Sequence, residues 1–315
     1  MALHGHQPLS PHSSVMYDGL LWVIGGYDGS SFLNDVWSSS DGVTWTQVTA
    51  AAAWNNRNGH TNVIFDGLMW VMGGYDGSSR LNDVWSSSDG VTWSEATAMA
   101  AWSDRSEHTS VVFDGLMWVM GGWDGSTNFN DVWSTTPLPT AIPTSSPSAS
   151  PTTAPTAVSS AVQTTTPTSV PTGYPADGST WQFTTHTAAW STRRGHVSVV
   201  HNSLMWVLGG FDGSSHKSDV WSSSDGAAWT PATFAAAWSD RFLYASVVYN
   251  DLMWVMGGWG GSRLRDVWSS SDGVTWSEAI PSAAWSARSS FSCVVFNSLM
   301  WVLGGFDFSY FNDVW

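Results

Sequence analysis

Five short segments of the sequence repeat the pattern Trp-x-x-Arg, whose residue types could bind a ligand. Indole rings supply flat apolar surface and guanidinium groups supply fixed hydrogen-bond donors, which together suit sugar rings or acidic peptide side chains. The alternative is structural, with each tryptophan packed between repeated units and each arginine bonded to carbonyl groups or to an aspartate. The pairs are Trp54 and Arg57, Trp102 and Arg105, Trp190 and Arg193, Trp238 and Arg241, and Trp285 and Arg288.

A second series of candidate binding residues follows a repeated Gly-Gly pair. An aromatic residue stands there, usually before Asp-Gly, but in the fifth copy Trp259 is followed by Gly260. The type of aromatic residue differs between units, although the surrounding motif is the same. This variation is typical of a binding surface adapted separately in each unit, and also of neutral substitution at exposed positions. We predict that this series and the Trp-x-x-Arg pairs form one binding surface. The aromatic residues are Tyr27, Tyr75, Trp123, Phe211, Trp259 and Phe306.

The sequence carries no arrangement typical of catalysis. Nothing in the spacing places a nucleophile beside a base, or two carboxylates outside the repeated frame. A sialidase would require a catalytic glutamate. The chain has three glutamates, Glu95, Glu107 and Glu278, and none of them lies in a distinctive sequence context. A copper oxidase would need a cysteine near a tyrosine with converging histidines, but Cys293 occupies an ordinary repeat position. We therefore predict a protein that is not an enzyme and has no cofactor.

Two further repeated residues are assigned to structure. A histidine begins the first strand of four units and is replaced by Tyr244 and Phe291 in the last two, which favours packing over a converging ligand shell. We therefore predict no metal site. The aspartate of the motif Asn-Asp-Val-Trp is expected to bond turn amides. The histidines are His12, His60, His108 and His196, and the aspartates are Asp35, Asp83, Asp131, Asp219, Asp266 and Asp313.

Composition limits the kinds of partner. The chain of 315 residues has a formal net charge of −15 and a single lysine, Lys217. Nucleic acids and anionic membranes are bound through clustered Lys and Arg, so we predict neither as a partner. No secretory signal and no apolar run of membrane-spanning length is visible. The lone Cys293 is expected to be a small buried side chain.

The candidate residues belong to a unit repeated six times. Each unit contains a short apolar run closed by two glycines, as in Leu116–Gly122. The first glycines stand at 25, 73, 121, 209, 257 and 304, which gives steps of 48, 48, 88, 48 and 47 residues. Such runs are too short for helices and too continuous for half-solvated strands, so we predict strands buried on both faces. A period of this length is typical of propellers and solenoids.

The second unit shows the predicted order of strands. They are His60–Phe65 (strand a), Leu68–Gly73 (b), Leu81–Trp85 (c) and Val91–Ala96 (d), with Asp66-Gly67 as a tight hairpin turn between a and b. We predict an all-β, six-bladed propeller of four-stranded antiparallel blades, without helices. Antiparallel alternation places the d-to-a and b-to-c loops on one face, called the upper rim below, and the other two loops on the opposite face.

These units resemble kelch repeats. The similarity rests on the double glycine after an apolar strand, the Asn-Asp-Val-Trp strand, the later Trp, and the Arg followed by a His. The sequence departs from that motif with Trp where Tyr is frequent, and Ser87–Trp93 resembles the Asp-box, a turn of sialidase-like propellers. The resemblance implies a non-catalytic protein-interaction or scaffold module that binds a partner on its upper rim as a monomer. The alternative is an extracellular carbohydrate-binding propeller.

An insertion interrupts the third unit. We assign residues 1–133 to blades 1–3, residues 134–176 to a Pro/Thr/Ser-rich insertion in the c-to-d loop of blade 3, and residues 177–315 to the end of blade 3 and blades 4–6, all within one domain. The insertion has almost no large apolar residue, so we expect disorder. Its composition is typical both of O-glycosylated stalks outside cells and of plain linkers.

The last predicted blade lacks one strand. The sequence ends on Phe311–Trp315, which corresponds to the end of strand c. Either the ring tolerates a three-stranded sixth blade or the sequence continued in the natural protein, and we favour the second interpretation.

Overall fold

The computed structural model describes residues 11–136 and 177–315. Within these ranges, 23 strands form six antiparallel sheets and there is no helix. Five sheets have four strands and the last has three. This arrangement confirms the predicted all-β, six-bladed propeller and its shorter sixth blade. The part of the chain that the structure describes contains no helix able to cross a membrane.

The blades follow one another along the chain. Blade 1 contains β1 (Ser13–Tyr17), β2 (Leu20–Tyr27), β3 (Phe32–Ser39) and β4 (Thr46–Thr49). Blade 2 contains β5 (Thr61–Phe65), β6 (Leu68–Tyr75), β7 (Arg80–Ser87) and β8 (Ser94–Thr97). Blade 3 contains β9 (Thr109–Phe113), β10 (Leu116–Trp123), β11 (Asn128–Thr135) and β12 (Trp181–Thr185).

The second half of the ring repeats this order. Blade 4 contains β13 (Val197–His201), β14 (Leu204–Phe211), β15 (His216–Ser223) and β16 (Thr230–Thr233). Blade 5 contains β17 (Ala245–Tyr249), β18 (Leu252–Trp259), β19 (Arg263–Ser270) and β20 (Ser277–Ile280). Blade 6 contains β21 (Ser292–Phe296), β22 (Leu299–Phe306) and β23 (Tyr310–Val314).

The first strand of each blade lies at the centre of the ring, where it contacts the first strands of both neighbouring blades. The contact of β1 with β21 closes the circle. At this junction Ser292 Oγ lies 2.8 Å from His12 Nε2. No strand is exchanged between blades 1 and 6, so side-chain packing holds the two ends of the described ring together.

The double glycine allows close approach between blades. Gly73 and Gly74 end the buried part of β6 with φ of 55° and 108°, values that side chains other than glycine rarely adopt. A Cβ atom on Gly73 would lie 3.0 Å from His108 of blade 3, and one on Gly74 would lie 2.9 Å from the Cβ of His60 in its own blade. The pair therefore fits between the histidines of two successive blades, which explains why glycines occur there.

Tryptophans fill the spaces between blades. Trp54, in the loop from blade 1 to blade 2, packs with Ile24 and Val36 of blade 1 and with Met69 and Trp93 of blade 2. A buried tryptophan removes about 150–250 Å² from water. At about 25 cal/mol per Å² this corresponds to roughly 4–6 kcal/mol as an upper estimate. Most of the sequence's tryptophans therefore belong to the core of the ring.

The Asp-box-like turn is held by backbone hydrogen bonds. The carboxylate of Asp89 accepts bonds from the amides of Val91 and Thr92 at 2.8 and 2.7 Å, and Ser87 Oγ accepts one from Gly90 at 2.8 Å. These bonds lower the pKa of Asp89, the amide of Thr92 contributing most. The segment is thus a fold-level turn, as its resemblance implied.

Several predicted boundaries shift. In the second unit strand a begins one residue later than predicted, strand b extends two residues further, to Tyr75, and strand d, predicted over Val91–Ala96, is β8 (Ser94–Thr97). Strand c was expected at Leu81–Trp85, but β7 spans Arg80–Ser87, because pairing with β6 continues beyond the motif. In blade 3 the same extension places residues 134 and 135 in β11, where both are buried. The strand therefore continues past the predicted start of the insertion. Disorder was predicted for the insertion, and residues 137–176 of that insertion lie outside the described part of the chain.

Candidate functional site

The five arginines of the Trp-x-x-Arg pattern are completely buried. The exposed fraction is 0% for each of Arg57, Arg105, Arg193, Arg241 and Arg288. Arg57 forms two parallel bonds of 2.7 Å to the carboxylate of Asp83, and it also donates to the carbonyl groups of Gly73 at 2.8 Å and Asn55 at 3.0 Å. The N–H groups of the Arg57 guanidinium therefore already donate hydrogen bonds to groups within the protein.

Each such arginine joins two blades. The backbone of Arg57 is bonded to blade 1 through Leu33 O and the amide of Gly26, whereas its side chain is bonded to blade 2. The other four arginines repeat the bidentate pair with the aspartate of the following blade. These pairs are Arg105 with Asp131, Arg193 with Asp219, Arg241 with Asp266, and Arg288 with Asp313.

The tryptophans of the pattern are buried as well. Trp54, Trp102, Trp190 and Trp238 are each 1% exposed, and Trp285 is 7% exposed. The first four pack edge-on against a tryptophan of the following blade, at 5.9 to 6.0 Å between ring centroids, and that tryptophan stands at or immediately before the start of the fourth strand. This burial corrects the expectation that the Trp-x-x-Arg pairs present apolar surface and free donors on the rim. Their repetition reflects the packing between blades.

The aspartate of Asn-Asp-Val-Trp has a structural role, but its partners differ from the expected turn amides. Asp83 accepts from Arg57 and, at 2.8 Å, from the indole of Trp85. Asp35 of blade 1 accepts from the indole of Trp37 at 2.7 Å. Its other carboxylate oxygen has no hydrogen-bond partner among the described residues. The sequence has Leu9 where the repeat would supply an arginine.

The second candidate series does lie at the surface of the upper rim. All six aromatic residues at the ends of the second strands are half-buried. Each pairs across its hairpin with the first residue of the third strand. We call these twelve residues the upper-rim belt: Tyr27 with Phe32, Tyr75 with Arg80, Trp123 with Asn128, Phe211 with His216, Trp259 with Arg263, and Phe306 with Tyr310.

The upper-rim belt continues from blade to blade. Phe32 contacts Tyr75 of the next blade at 5.5 Å between ring centroids, and the guanidinium of Arg80 lies 4.1 Å from the centroid of Trp123. Arg263 lies 4.8 Å from the centroid of Phe306 in the same way. Tyr310 of blade 6 contacts Tyr27 of blade 1 at 5.7 Å and thereby links the last blade to the first.

Two residues outside the belt connect its remaining members. The guanidinium of Arg194 lies 4.0 Å from the centroid of Trp123 and 5.6 Å from that of Phe211. Phe242 stacks on His216 at 4.9 Å. The sequence analysis did not identify Arg80, His216 or Arg263 as binding residues. Hairpin register would have indicated them, since each starts the strand paired with an aromatic residue.

The mouth of the central channel opens inside the upper-rim belt. Backbone bonds between successive blades surround it, from the amide of Glu107 to Gly59 O, Gly195 to Glu107 O, Leu243 to Gly195 O, and Ser290 to Leu243 O. The side chain of Glu107 lies 3.6 Å from Arg194. Burial raises the pKa of Glu107, although Arg194 and Arg80 oppose that effect.

Below the mouth, histidines alternate with hydroxyl groups of the neighbouring blade. Ser13 Oγ lies 2.6 Å from His60 Nε2, and Thr61 Oγ1 lies 3.0 Å from His108 Nε2. Burial, with the nearby Arg57, lowers the pKa of His60 to about 3. In the described part of the chain no group of three or more His, Cys, Asp or Glu could hold a metal ion. Cys293 is a free thiol whose pKa is raised to about 12 by burial.

Comparison with protein families identifies the repeat. The model of the KLHDC2/KLHL20/DRC7 Kelch-repeats domain matches residues 4–164, slightly more than half of the chain. The Kelch motif matches residues 192–222 and 287–315. The chain belongs to the kelch-repeat family. A search of curated proteins found no match.

Kelch-repeat propellers are generally non-catalytic modules that bind protein partners. In this kelch propeller the residues of the repeat motif serve the ring itself, since the glycines, the Asn-Asp-Val-Trp aspartate and the loop arginine all join neighbouring blades. The variable positions next to them form the upper-rim belt. A surface that differs from blade to blade on an otherwise repetitive frame is the natural candidate for specific recognition.

Proposed function

We propose that this kelch propeller is a non-catalytic interaction or scaffold module that binds a protein partner on the upper-rim belt. The observation that carries the proposal is the composition of that belt. Aromatic side chains and arginines are the residues that most often dominate protein–protein binding energy, and here Arg80, Arg194 and Arg263 lie over aromatic rings of the belt around a channel mouth. Residues of this kind that are half-buried and already packed lose little conformational freedom when a partner binds.

The distribution of charge supports the same face. Of the ten basic residues, five arginines are buried in ion pairs, and the other five lie in or beside the belt. These are Arg80, Arg194, Lys217, Arg263 and Arg265. The opposite face carries the a-to-b turns and the Asp-box-like turns, with acidic tips such as Asp66 and Asp89. The upper rim also carries the aspartates that follow five of the belt aromatics, namely Asp28, Asp76, Asp124, Asp212 and Asp307. Its charge is therefore mixed, and its arginines are the places where acidic residues of a partner would find complementary charge.

The belt favours a protein partner over a glycan. Carbohydrate-binding sites use exposed aromatic faces, whereas two guanidinium groups lie over the ring of Trp123, at 4.1 and 4.0 Å from its centroid. The ten tryptophans and arginines that could have formed an open sugar-binding array are buried. We therefore place the carbohydrate alternative among the outcomes of the test.

A site-specific photo-crosslinking experiment tests the proposal. A photoreactive phenylalanine analogue is placed at Tyr75 or Phe211 of the belt, and at Val91 or Val274 of the opposite face, which are exposed apolar controls. We expect a discrete protein adduct from the belt positions and none from the control positions. Equal adducts from both faces, or adducts from the control face alone, would refute the proposed surface. Binding on a glycan array without any protein adduct would favour the carbohydrate alternative.

A further inference from the structure

The sector of the upper rim between blades 5 and 6 departs from the repeat in three ways. Blade 5 has Gly260 where the five other blades have an aspartate after the belt aromatic, so one negative charge is missing. The same loop leads into two arginines, Arg263 and Arg265. In blade 6, Phe308 occupies the position that is a glycine in blades 1 to 5. The three departures fall within one hairpin and its neighbour.

Phe308 stands in a backbone conformation suited to glycine. Its φ is 55°, in the left-handed region, and its side chain is 87% exposed. A bulky residue in this region costs about 1–2 kcal/mol, and burial here offsets little of that cost. A strained and exposed aromatic side chain on a loop points to a role in binding. The glycines at the same position are Gly29, Gly77, Gly125, Gly213 and Gly261, with φ from 91° to 106°.

A positive charge is held among aromatic rings in this sector. The guanidinium of Arg263 lies 4.7 Å from the centroid of Trp259, 4.8 Å from that of Phe306 and 4.6 Å from that of Phe308. Its nearest carboxylate, that of Asp307, is 3.4 Å away. Arg265 is exposed beside it. With Gly260 in place of an aspartate, this sector can accept a further negative charge from a partner.

An apolar pocket opens next to Arg263. Its volume is about 250 Å³. Rings of Phe242, Trp259 and Phe306 form much of its wall. Leu243, Arg263 and the hydroxyl-bearing Ser289 and Ser290 complete the lining. A cavity of roughly 150 Å³ with apolar walls is enough to hold a benzene ring. The pocket therefore has room for a phenyl, an indole or a branched aliphatic side chain.

We infer that this sector is the main anchoring point of the upper rim and that it binds a peptide segment with a large apolar side chain beside an Asp or Glu. The apolar side chain enters the pocket, and the carboxylate contacts Arg263 and Arg265. Phe308 covers the bound segment, which compensates for its strained and exposed position. The inference rests on the proposed protein-binding function and adds the sector and the chemistry of the partner.

Other sectors match this chemistry less well. Between blades 2 and 3 the pocket that contains Arg80 also contains Glu107, and Arg194 lies 3.6 Å from that carboxyl group. Arg263 likewise has an acidic neighbour, so the difference is that the blade 2–3 sector has no counterpart of the exposed Phe308 or of Arg265. Between blades 6 and 1 the belt consists of Tyr310 and Tyr27 without a cation. The blade 5–6 sector is the place in the described belt where a cation, an apolar pocket and an exposed aromatic side chain coincide.

Selection of phage-displayed random peptides on the full chain tests the inference. Enriched peptides are synthesised with a fluorophore, and their affinity is measured by anisotropy. The main variant is Phe308→Gly, which restores the residue of the other blades and relieves the backbone, so its folding is not at risk. Arg263→Ser is the second variant. Val274→Ser, on the opposite face, is the matched control, and Trp123→Ser compares another sector of the belt.

We expect enriched peptides to combine Asp or Glu with Phe, Trp or Leu. Phe308→Gly and Arg263→Ser should each weaken their binding by about tenfold or more, and by more than Trp123→Ser does, while Val274→Ser should leave the affinity unchanged. Unchanged affinity in both variants, a basic consensus, or no enrichment would overturn the inference. Peptides lost only in Trp123→Ser would overturn it too, but would leave the proposed upper-rim function standing. A ligand retained by all belt variants would contradict both.

Discussion

The guanidinium of Arg57 and the carboxylate of Asp83 form two parallel hydrogen bonds of 2.7 Å across the junction of blades 1 and 2. Arg57 has no exposed surface, and its backbone is bonded to the other blade of the junction. The side chain that the sequence offered as a ligand donor is therefore a connection between blades. The same relationship recurs at four further junctions.

Removal of one partner of this pair should destabilise the ring. We expect Asp83→Ala to lower the free energy of unfolding by about 3–5 kcal/mol, because it leaves a buried guanidinium without its counter-ion. Chemical denaturation, followed by tryptophan fluorescence, measures the change. Asp35→Ala is the matched control, since Asp35 belongs to the same motif and has no arginine partner among the described residues.

The control should cost no more than about 2 kcal/mol, for the loss of the indole hydrogen bond from Trp37 and the long bond of 3.5 Å from Gln47. Equal destabilisation by the two variants would show that the ion pair contributes little. If Arg57→Ala weakened partner binding without any loss of stability, the interpretation of Arg57 as an inter-blade connection would be wrong.

Glycines of different surroundings should respond differently to an added methyl group. Gly73 has φ of 55°, and a Cβ there would lie 3.0 Å from both His108 Cε1 and Leu81 O. Gly67, in the turn of the same blade, has φ of 68° and open space around it. We expect Gly67→Ala to cost about 1–2 kcal/mol from backbone strain alone. Gly73→Ala should cost about 1–3 kcal/mol more because it overpacks a blade junction. Similar thermal midpoints for both variants would refute this difference.

A core tryptophan should matter more where a following blade covers it. Trp118 is 4% exposed and lies beneath Gly226 of blade 4, whereas the equivalent Trp254 is half-buried next to the three-stranded blade 6. Both indoles donate to a backbone carbonyl, at 2.9 and 3.0 Å. We expect Trp118→Ala to cost about 3–5 kcal/mol and Trp254→Ala at least about 1 kcal/mol less. Denaturant midpoints compare them, and an equal or larger loss for Trp254→Ala would contradict the argument.

Stability should fall as the pH drops below neutrality. The pKa of His60 and that of His196 are lowered to about 3 by burial, and that of His108 is lowered in the same direction. An unfolded histidine binds a proton near pH 6.5, so between about pH 6.5 and 3 the unfolded state holds more protons. Stability is therefore complete above pH 6.5 and decreases below it, by about 2 kcal/mol per such histidine between pH 7 and 5.

A histidine variant tests this dependence. His108→Phe copies the residue that blade 6 uses at the same position, Phe291, which also lies between double glycines. We expect its stability to depend less steeply on pH between 7 and 5, by about one proton. His201, which lies at the end of β13 and does not belong to the series His60, His108 and His196, provides the control variant His201→Phe. An unchanged slope in His108→Phe would mean that other groups cause the acid sensitivity.

The sequence alone was sufficient to predict the fold class and the number of blades. The periodic Gly-Gly, the Asp66-Gly67 turn and the apolar runs specify strands and hairpins through interactions within a few residues of one another. The absence of a fourth strand from blade 6 was also predictable, because the sixth repeat of the given sequence ends before the segment that forms that strand in the other units. The exact end of the third strand was not, since pairing with its neighbour extends it past its motif.

The tertiary structure decided which repeated residues face solvent. The indole of Trp54 and the guanidinium of Arg57 are suited both to ligand binding and to packing between blades. Only the neighbouring blade, with Asp83 and Trp93, buries them. The continuity of the upper-rim belt likewise depends on ring closure, which brings Tyr310 next to Tyr27 across almost the whole length of the chain. Local pattern cannot specify such contacts, because they are made between blades rather than within them.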